Sequence, residues 1–209
     1  MDRRAFLRRS TVLAGVAASG LLLPAINTPA GAQTLQNLME LNSGAGQSLF
    51  GSTEITSSTP KALPQWARVL SKVTGVERKQ FRACLENKAA CTAAGLRSWR
   101  EVATSARGKP ELEVLKTVNA YFNRWPYKID RELYGVSEFW ATPQEFMKRS
   151  GDCEDYAIAK FFVLRDLGLA NDKLRIVILM DRIRRIGHAV LAVYTTADIL
   201  VLDSLTDLI

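Results

Sequence analysis

The apolar pattern of the chain changes its period at Gly168. Before this glycine, apolar residues recur at helical spacing. After it come three short runs rich in β-branched residues, 174–180, 188–194 and 199–202, separated by short polar connections. Such runs predict strands, and their short connections suit antiparallel pairing. The chain is therefore expected to fold as an α+β domain, with helices first and an antiparallel sheet afterwards.

Proline and glycine punctuation divides the helical part. A first helix is predicted to begin at Pro64 and end at Gly75, and a second covers residues 77–88. A third follows Pro110 and closes before Pro126, with apolar residues at helical spacing between them. These segments are expected to form the helical side of the domain.

Two further helices lie next to the residues that carry chemistry. Thr142 and Glu145 flank a proline in a capping box, which predicts a short helix that stops by Gly151. The last helix is predicted to begin at or beside Cys153 and to run to Leu167. A cysteine therefore stands where a loop turns into a helix.

The N-terminus resembles an export signal. Residues 2–9 contain a twin-arginine pair, residues 11–26 are apolar, and Ala30-Gly31-Ala32 has the small-x-small pattern of a signal-peptidase site. Residues 1–32 are predicted to be a twin-arginine signal peptide, cleaved near Ala32, on a protein exported to the bacterial periplasm. The alternative is an uncleaved membrane anchor, but the apolar stretch is shorter than the roughly 20 residues that span a bilayer.

Residues 33–60 are rich in Ser, Gly, Thr, Gln and Asn and are predicted to be a flexible leader. Residues 61–209 then form one domain. The formal charge falls from +7 to +4 without residues 1–32, which hold four arginines and one aspartate. Because the remaining excess forms no basic stripe with interleaved aromatics, no nucleic-acid role is expected.

The three cysteines are expected to differ in role. Cys84 and Cys91 are seven residues apart and could form a disulfide in an oxidising compartment, or could stay reduced. Cys153 is the odd cysteine, which suggests a reactive thiol. The alternative is that Cys153 is a small buried hydrophobe, although acidic residues surround it in the sequence.

Cys153, His188 and Asp203 follow one another in the order of a nucleophile, a base and an orienting acid. His188 is the only histidine and lies at the start of a predicted strand, and Asp203 ends the next strand. A hairpin would bring His188 and Asp203 together, with the carboxylate accepting the Nδ1–H of the ring. The three residues predict acyl transfer, with the Cys153 amide in the oxyanion site. The alternative is a histidine satisfied inside the sheet and an aspartate starting a turn.

Three carboxylates, Asp152, Glu154 and Asp155, lie within four residues around this thiol. Their repulsion opposes a thiolate, and a bound cation would offset it. Calcium suits carboxylate oxygens in irregular geometry better than magnesium does. The alternative is that these acids only cap the helix and face water.

Several segments resemble the bacterial transglutaminase-like cysteine proteinases, the LapG-type periplasmic proteases, over roughly residues 111–205. The matching segments are Trp125-Pro126-Tyr127, Phe139 to Phe146, Gly151-Asp152-Cys153-Glu154-Asp155-Tyr156-Ala157-Ile158-Ala159-Lys160, Leu164-Arg165, Gly187 to Leu191 and Val201-Leu202-Asp203. The resemblance implies a papain-like, transglutaminase-like core. It places the nucleophile on Cys153, the base on His188 and the orienting acid on Asp203, and it places the calcium ligands on Asp152, Glu154 and Asp155.

The same resemblance implies a calcium-dependent endopeptidase that releases a surface adhesin under the control of a membrane receptor. Two alternatives use the same residues: an amine acyltransferase, and a non-enzymatic, calcium-dependent binding module. Residues 133–138, the Cys84/Cys91 pair and the twin-arginine leader depart from the family pattern. The family continues with more sheet beyond the position of Ile209, which suggests a domain truncated at its C-terminus. The resemblance therefore supports the catalytic chemistry of the family better than it supports the family's substrate.

Overall fold

A computed structural model describes Leu49 and residues 63–209. The predicted signal peptide and all of the predicted leader except Leu49 lie outside the described residues, as do residues 61 and 62 of the predicted domain. The described part contains α-helices followed by three strands: α1 Pro64–Lys72, α2 Arg78–Glu86, α3 Ala94–Ala106, α4 Glu111–Phe122, α5 Asp130–Tyr134, α6 Pro143–Arg149, α7 Cys153–Asp166, β1 Leu174–Asp181, β2 Ile186–Tyr194 and β3 Ile199–Leu202. In this part of the chain, no helix has the length and apolar character needed to cross a membrane.

The first two predicted helices are continuous. A π-helical turn, Val73–Glu77, joins α1 to α2, so the prediction of a helix end at Gly75 was wrong. The extra residue of a π turn changes which side chains face inward, and both Val73 and Glu77 are buried. The Thr142 hydroxyl donates to Glu77 Oε1 at 2.6 Å, which ties this turn to the start of α6.

Two observed helices were not predicted. Helix α3 follows the cysteine pair, and Leu96, Trp99, Val102 and Ala106 on its buried side have the helical spacing that could have revealed it. Helix α5 has only five residues, too few for a periodic signal. It nevertheless brings Asp130 into the domain interior, where this residue is 1% exposed.

Helix α7 occupies the centre of the domain. It packs against β1 and β2 on one side and against α3, α4 and α6 on the other, and most of its residues are buried. It ends at Asp166, one residue before the predicted end. The Leu169 N–H donates to the Leu164 carbonyl at 3.1 Å, and Gly168, with a φ of 102°, provides the left-handed turn that follows the helix.

The sheet is antiparallel with the order β1-β2-β3, so the predicted α+β class is confirmed. In the β2–β3 register, Leu191 pairs with Leu202 and Tyr194 pairs with Ile199. The end of β3 therefore lies beside the middle of β2. This register brings Asp203, directly after β3, towards His188 near the start of β2.

The predicted disulfide is present between Cys84, near the end of α2, and Cys91, before α3. Both residues are buried next to the core that contains the stacked rings of Phe81 and Trp99, whose centroids are 4.2 Å apart. The bond therefore fixes the connection from α2 to α3 where it meets the core.

We predict that the Cys84→Ser/Cys91→Ser variant is less stable than the wild type by about 2 to 3 kcal/mol, because a short loop is no longer closed in the unfolded chain. Urea unfolding of both proteins measures the difference. Mass mapping of unreduced protein exported to an oxidising compartment should recover the 84–91 crosslink and leave Cys153 unpaired. Alkylation of both Cys84 and Cys91 without reductant would contradict the pairing.

Candidate active site

Cys153 is the first residue of α7 and is 8% exposed. Its sulfur receives a hydrogen bond from the backbone of Ala189, the neighbour of His188. The Cys153 Sγ also donates to Glu154 Oε2 at 3.1 Å. The start of α7 and the start of β2 thus meet at the thiol, and this places the predicted nucleophile beside the strand that carries the predicted base.

His188 and Asp203 form a buried pair. The distance between His188 Nε2 and Asp203 Oδ1 is 2.8 Å, and the two residues are 6% and 3% exposed. The prediction that Nδ1 faces the carboxylate was wrong. Nε2 is farther from the backbone, and it is this nitrogen that reaches across to Asp203. The other ring nitrogen, Nδ1, takes no part in this pair.

The Asp203 carboxylate is held in its charged form. Burial alone would raise the pKa of Asp203, but the hydrogen bond and charge of His188, and then the hydrogen bond from the Leu205 amide, lower it below its usual value. The Leu205 N–H donates to Asp203 Oδ1 at 3.0 Å. An ionised acid at this position can orient the imidazole and stabilise its protonated form.

A cluster of three carboxylates lies next to the thiol. Oxygens of Asp130, Asp152 and Glu154 lie within 4.8 Å of one another. The structure thus brings together two of the three predicted ligands and adds Asp130, which is 22 residues away in sequence from Asp152 and which sequence reasoning missed. Asp130 is an acid at the start of a short helix, and acids are common at helix starts. A single sequence therefore does not distinguish it from an ordinary helix-start residue.

Asp155, the third predicted ligand, lies outside this cluster. It is fully buried, and its two oxygens accept backbone N–H groups, Oδ1 from Ala141 at 2.6 Å and Oδ2 from Asp152 at 3.3 Å. Its carboxylate therefore joins the start of α7 to the segment before α6. Gly151 makes this possible, because a Cβ there would lie 2.0 Å from Asp155 Oδ2.

The local charge opposes a thiolate. Burial, and then the charge of Glu154, raise the pKa of Asp152 to about 9. The same two causes raise the pKa of Cys153 well above its usual value. Burial also raises the pKa of Asp130. Too much negative charge therefore converges on the start of α7 for all of these groups to ionise together.

These carboxylates fit a hard divalent cation. Asp130 Oδ1 and Asp152 Oδ1 are buried and, in the described part of the chain, have no hydrogen-bond partner. Buried polar atoms without partners are rare in folded proteins, and an ion is one of the groups that satisfies them. Oxygen ligands of this kind are those that calcium prefers.

Tyr127 also lies at the site, although the sequence analysis gave it no role. Its hydroxyl interacts with the Cys153 thiol, and the pKa of Tyr127 is raised first by desolvation and then by the negative charge that Cys153 can carry. A backbone bridge between Tyr127 and Gly151 fixes this segment beside the start of α7. The tyrosine of the Trp-Pro-Tyr segment thus provides an O–H donor next to the nucleophile.

Comparison with known families identifies the chain. A family model described as bacterial transglutaminase-like cysteine proteinase matches residues 73–209. The chain belongs to this family. It is therefore a cysteine-type peptidase of the transglutaminase-like class. No curated protein matched the chain.

Solved structures of the family have the same fold. The calcium-bound structure of Legionella pneumophila LapG is 31% identical, with a TM-score of 0.51, and the match covers 62% of this chain and 73% of that chain. The EGTA-treated structure of the same protein is also 31% identical, with a TM-score of 0.50 and coverage of 62% and 71%. The transglutaminase-like core predicted from the sequence agrees with this similarity.

We predict that Gly151→Ala lowers the free energy of unfolding by about 2 kcal/mol or more, because the new Cβ displaces the Asp155 carboxylate and leaves two buried N–H groups unpaired. Gly75→Ala is the matched control. A Cβ at Gly75 meets nothing within 4 Å, and alanine favours a helix by about 1 kcal/mol over glycine. Denaturant unfolding of the two variants should therefore shift in opposite directions. A Gly151→Ala protein as stable as wild type would contradict the role given to Asp155.

Proposed function

We propose that this protein is an exported, calcium-dependent cysteine endopeptidase in which Cys153 is the nucleophile, His188 the general base and Asp203 the orienting acid. One observation carries the proposal. The buried 2.8 Å pair of His188 and Asp203 lies beside a cysteine at a helix start, in a chain that belongs to a cysteine proteinase family.

The proposed reaction uses these three residues in sequence. His188 Nδ1 takes the proton of the Cys153 thiol, and the sulfur attacks the carbonyl carbon of a peptide bond. The Cys153 backbone N–H and the Tyr127 hydroxyl are the donors available to the developing oxyanion. The departing amine takes the proton from His188 and leaves a thioester on Cys153. Water, deprotonated by His188, then attacks the thioester, and the thiol is regenerated with release of a carboxylic acid.

Asp203 supports both steps through its hydrogen bond to His188. Its ionised carboxylate fixes the ring with Nε2–H facing Asp203 and Nδ1 free. It also stabilises the imidazolium that forms when the thiol loses its proton. The low pKa of Asp203 supports this role, because the acid remains ionised throughout the cycle.

Calcium would be held by Asp130, Asp152 and Glu154 and would offset their negative charge beside the nucleophile. Asp155, the further ligand predicted from sequence, would then act by fixing the backbone of the loop. The two Legionella pneumophila LapG structures are described as calcium-bound and EGTA-treated. A calcium-bound state of this similar protein and the cluster of carboxylates in this chain support calcium as the cation.

The substrate is a protein, as for other peptidases. By resemblance to the family, we propose a cell-surface adhesin as the substrate, a membrane receptor as a regulator and the periplasm as the site of action. An amine could replace water as the second nucleophile, which would give an acyltransferase with the same residues. Membership of a proteinase family favours water, and it also disfavours the non-enzymatic binding module.

We predict that iodoacetamide alkylates Cys153 faster than free cysteine at pH 7 in the presence of calcium. His188→Ala should remove this advantage, because the ring no longer accepts the thiol proton. Cys153→Ala should abolish peptide-bond cleavage while shifting the melting temperature by only a few degrees. Alkylation followed by mass spectrometry measures the rate at Cys153 alone.

Cys153→Ser is the control for the sulfur, since it keeps the shape of the side chain and removes the thiol. Slow labelling of wild-type Cys153 in calcium, or a rate that His188→Ala leaves unchanged, would contradict the assignment of nucleophile and base.

We predict that Asp130→Asn weakens the response to calcium by about tenfold or more in the concentration required, because one of the three charged ligands is lost. The asparagine oxygen can still accept the hydrogen bond that Asp130 receives from the Phe139 amide. Glu132→Gln is the matched control, since it removes an exposed acid from the same helix. Thermal unfolding against calcium concentration measures the response, and equal curves for Asp130→Asn and wild type would exclude Asp130 as a ligand.

The same experiment has an expected pH dependence. Folding raises the pKa of Asp152 from 3.8 to about 9, so in chelator the folded state binds more protons than the unfolded state between these values. This contribution to stability is complete below about pH 4 and is lost as the pH rises towards 9. Excess calcium should flatten that loss. A chelated protein that keeps the same melting temperature from pH 5 to pH 8 would contradict the crowding of charge at this site.

A further inference from the structure

A buried lysine lies behind the proposed catalytic residues. Lys160 is 0% exposed and stands seven residues after Cys153 on α7, two turns along the same face of the helix. Its ammonium faces the turn that follows β3, which carries Asp203. A lysine with no access to water is rare unless a specific set of partners holds it.

The partners of Lys160 match an ammonium ion. Its Nζ donates to Asn119 Oδ1 at 2.7 Å, to Asn123 Oδ1 at 2.8 Å and to the Asp203 carbonyl at 3.1 Å. A protonated lysine has three donors and no acceptor, so three acceptors use its capacity fully. A neutral amine would have only two donors for the same three oxygens.

The two asparagines link Lys160 to the backbone of the turn that follows β3. Asn119 lies on α4 and Asn123 lies directly after it. Lys160 orients both side chains, because its Nζ donates to their Oδ1 atoms. Their Nδ2 groups then face the turn after β3. Asn123 donates to the Asp203 carbonyl at 3.0 Å, and both asparagines donate to the Thr206 carbonyl at 2.9 Å.

The carbonyl of Asp203 thus receives two hydrogen bonds, from Lys160 and from Asn123, while its side chain bonds His188. Hydrogen bonds to its backbone carbonyl thus fix Asp203, while its carboxylate faces the imidazole of His188. The Lys160 charge also acts on this carboxylate and is one of the causes that lower the pKa of Asp203.

We propose that Lys160 is a positioning residue of this peptidase: by holding the Asp203 backbone through its ammonium, it fixes the carboxylate that orients His188. This inference rests on the function proposed above for Cys153, His188 and Asp203. It adds a residue with no access to the substrate, in a helix whose first residue is the nucleophile. Lys160 therefore couples the start of α7 to the end of β3 through the interior of the domain.

A purely structural role is the competing explanation, but it accounts less well for the choice of residue. A buried charged group and its partners can often be replaced together by apolar side chains without loss of stability, so stability alone does not require a lysine and two asparagines here. Burial is severe enough to lower the pKa of Lys160 to about 7, although the charges of Asp203 and Asp207 oppose that change. The Lys160 ammonium is costly to bury, and it lies next to Asp203. Its presence is therefore better explained by its effect on Asp203, the acid that orients His188.

The chain offers a direct readout, because His188 is its only histidine. In untagged protein carrying Cys153→Ala, long-range proton–nitrogen NMR spectra report the tautomer of this one imidazole. We expect a single tautomer with Nε2 protonated when Lys160 is present. Lys160→Met should give a mixture of tautomers, as should Asp203→Asn. Lys116→Met, which alters an exposed lysine, should leave the spectrum unchanged.

A second measurement uses the intact thiol. With calcium present at pH 7, Lys160→Met should slow iodoacetamide alkylation of Cys153 by about tenfold relative to Lys116→Met, a typical effect of losing a partner that orients a catalytic group. The Lys160→Met/Asp203→Asn double variant should be no slower than Asp203→Asn alone, because Lys160 acts through Asp203. If Lys160→Met does not fold, Asn123→Ala removes one acceptor of Lys160 and one donor to Asp203 at a half-buried site, and it should change both readouts in the same direction.

The outcomes separate the two proposals. An unchanged tautomer in folded Lys160→Met, or in Asn123→Ala where the first variant does not fold, overturns the positioning role whatever the alkylation rate. If wild-type Cys153 reacts no faster than free cysteine while Lys160→Met still mixes the tautomers, the nucleophile assignment fails and the positioning of His188 by Lys160 stands. A loss of thermal stability alone, with tautomer and rate unchanged, would make Lys160 a structural residue only.

Discussion

The burial of α7 is the constraint on which the rest of the structure depends. This helix packs against the sheet on one side and against α3, α4 and α6 on the other, so nearly every side chain along it faces protein. An amphipathic helix could turn its polar residues to water, but α7 cannot. Each buried polar residue on it must therefore find a partner within the domain, or the cost of burial would destabilise the fold.

The polar residues of α7 satisfy this requirement in two ways. Asp155 accepts two backbone N–H groups, and Lys160 donates to three oxygens. Each of them thereby fixes a segment that approaches the active centre, Asp155 the loop before α7 and Lys160 the turn after β3. The contacts that satisfy these buried polar groups are consequently the same contacts that position the candidate catalytic residues.

The sequence predicted those features that depend on local pattern. The capping box at Thr142, the start of α7 at Cys153 and the three strands follow from spacing and residue type, and the structure confirms them. The choice of Nδ1 over Nε2 in His188 and the omission of Asp130 concern contacts between distant segments. Such contacts depend on how elements pack in three dimensions, and a periodic pattern carries no information about that packing.

The position of Glu154 explains why charge and reactivity are linked at this site. Its Oε2 accepts the hydrogen bond of the Cys153 thiol, and its carboxylate also belongs to the cluster with Asp130 and Asp152. A carboxylate that accepts from a thiol favours the protonated sulfur, because it would repel a thiolate at the same distance. Any positive charge that engages Glu154 weakens both effects at once. In the proposed mechanism, the imidazole of His188, which carries no negative charge, can then take the thiol proton in place of Glu154.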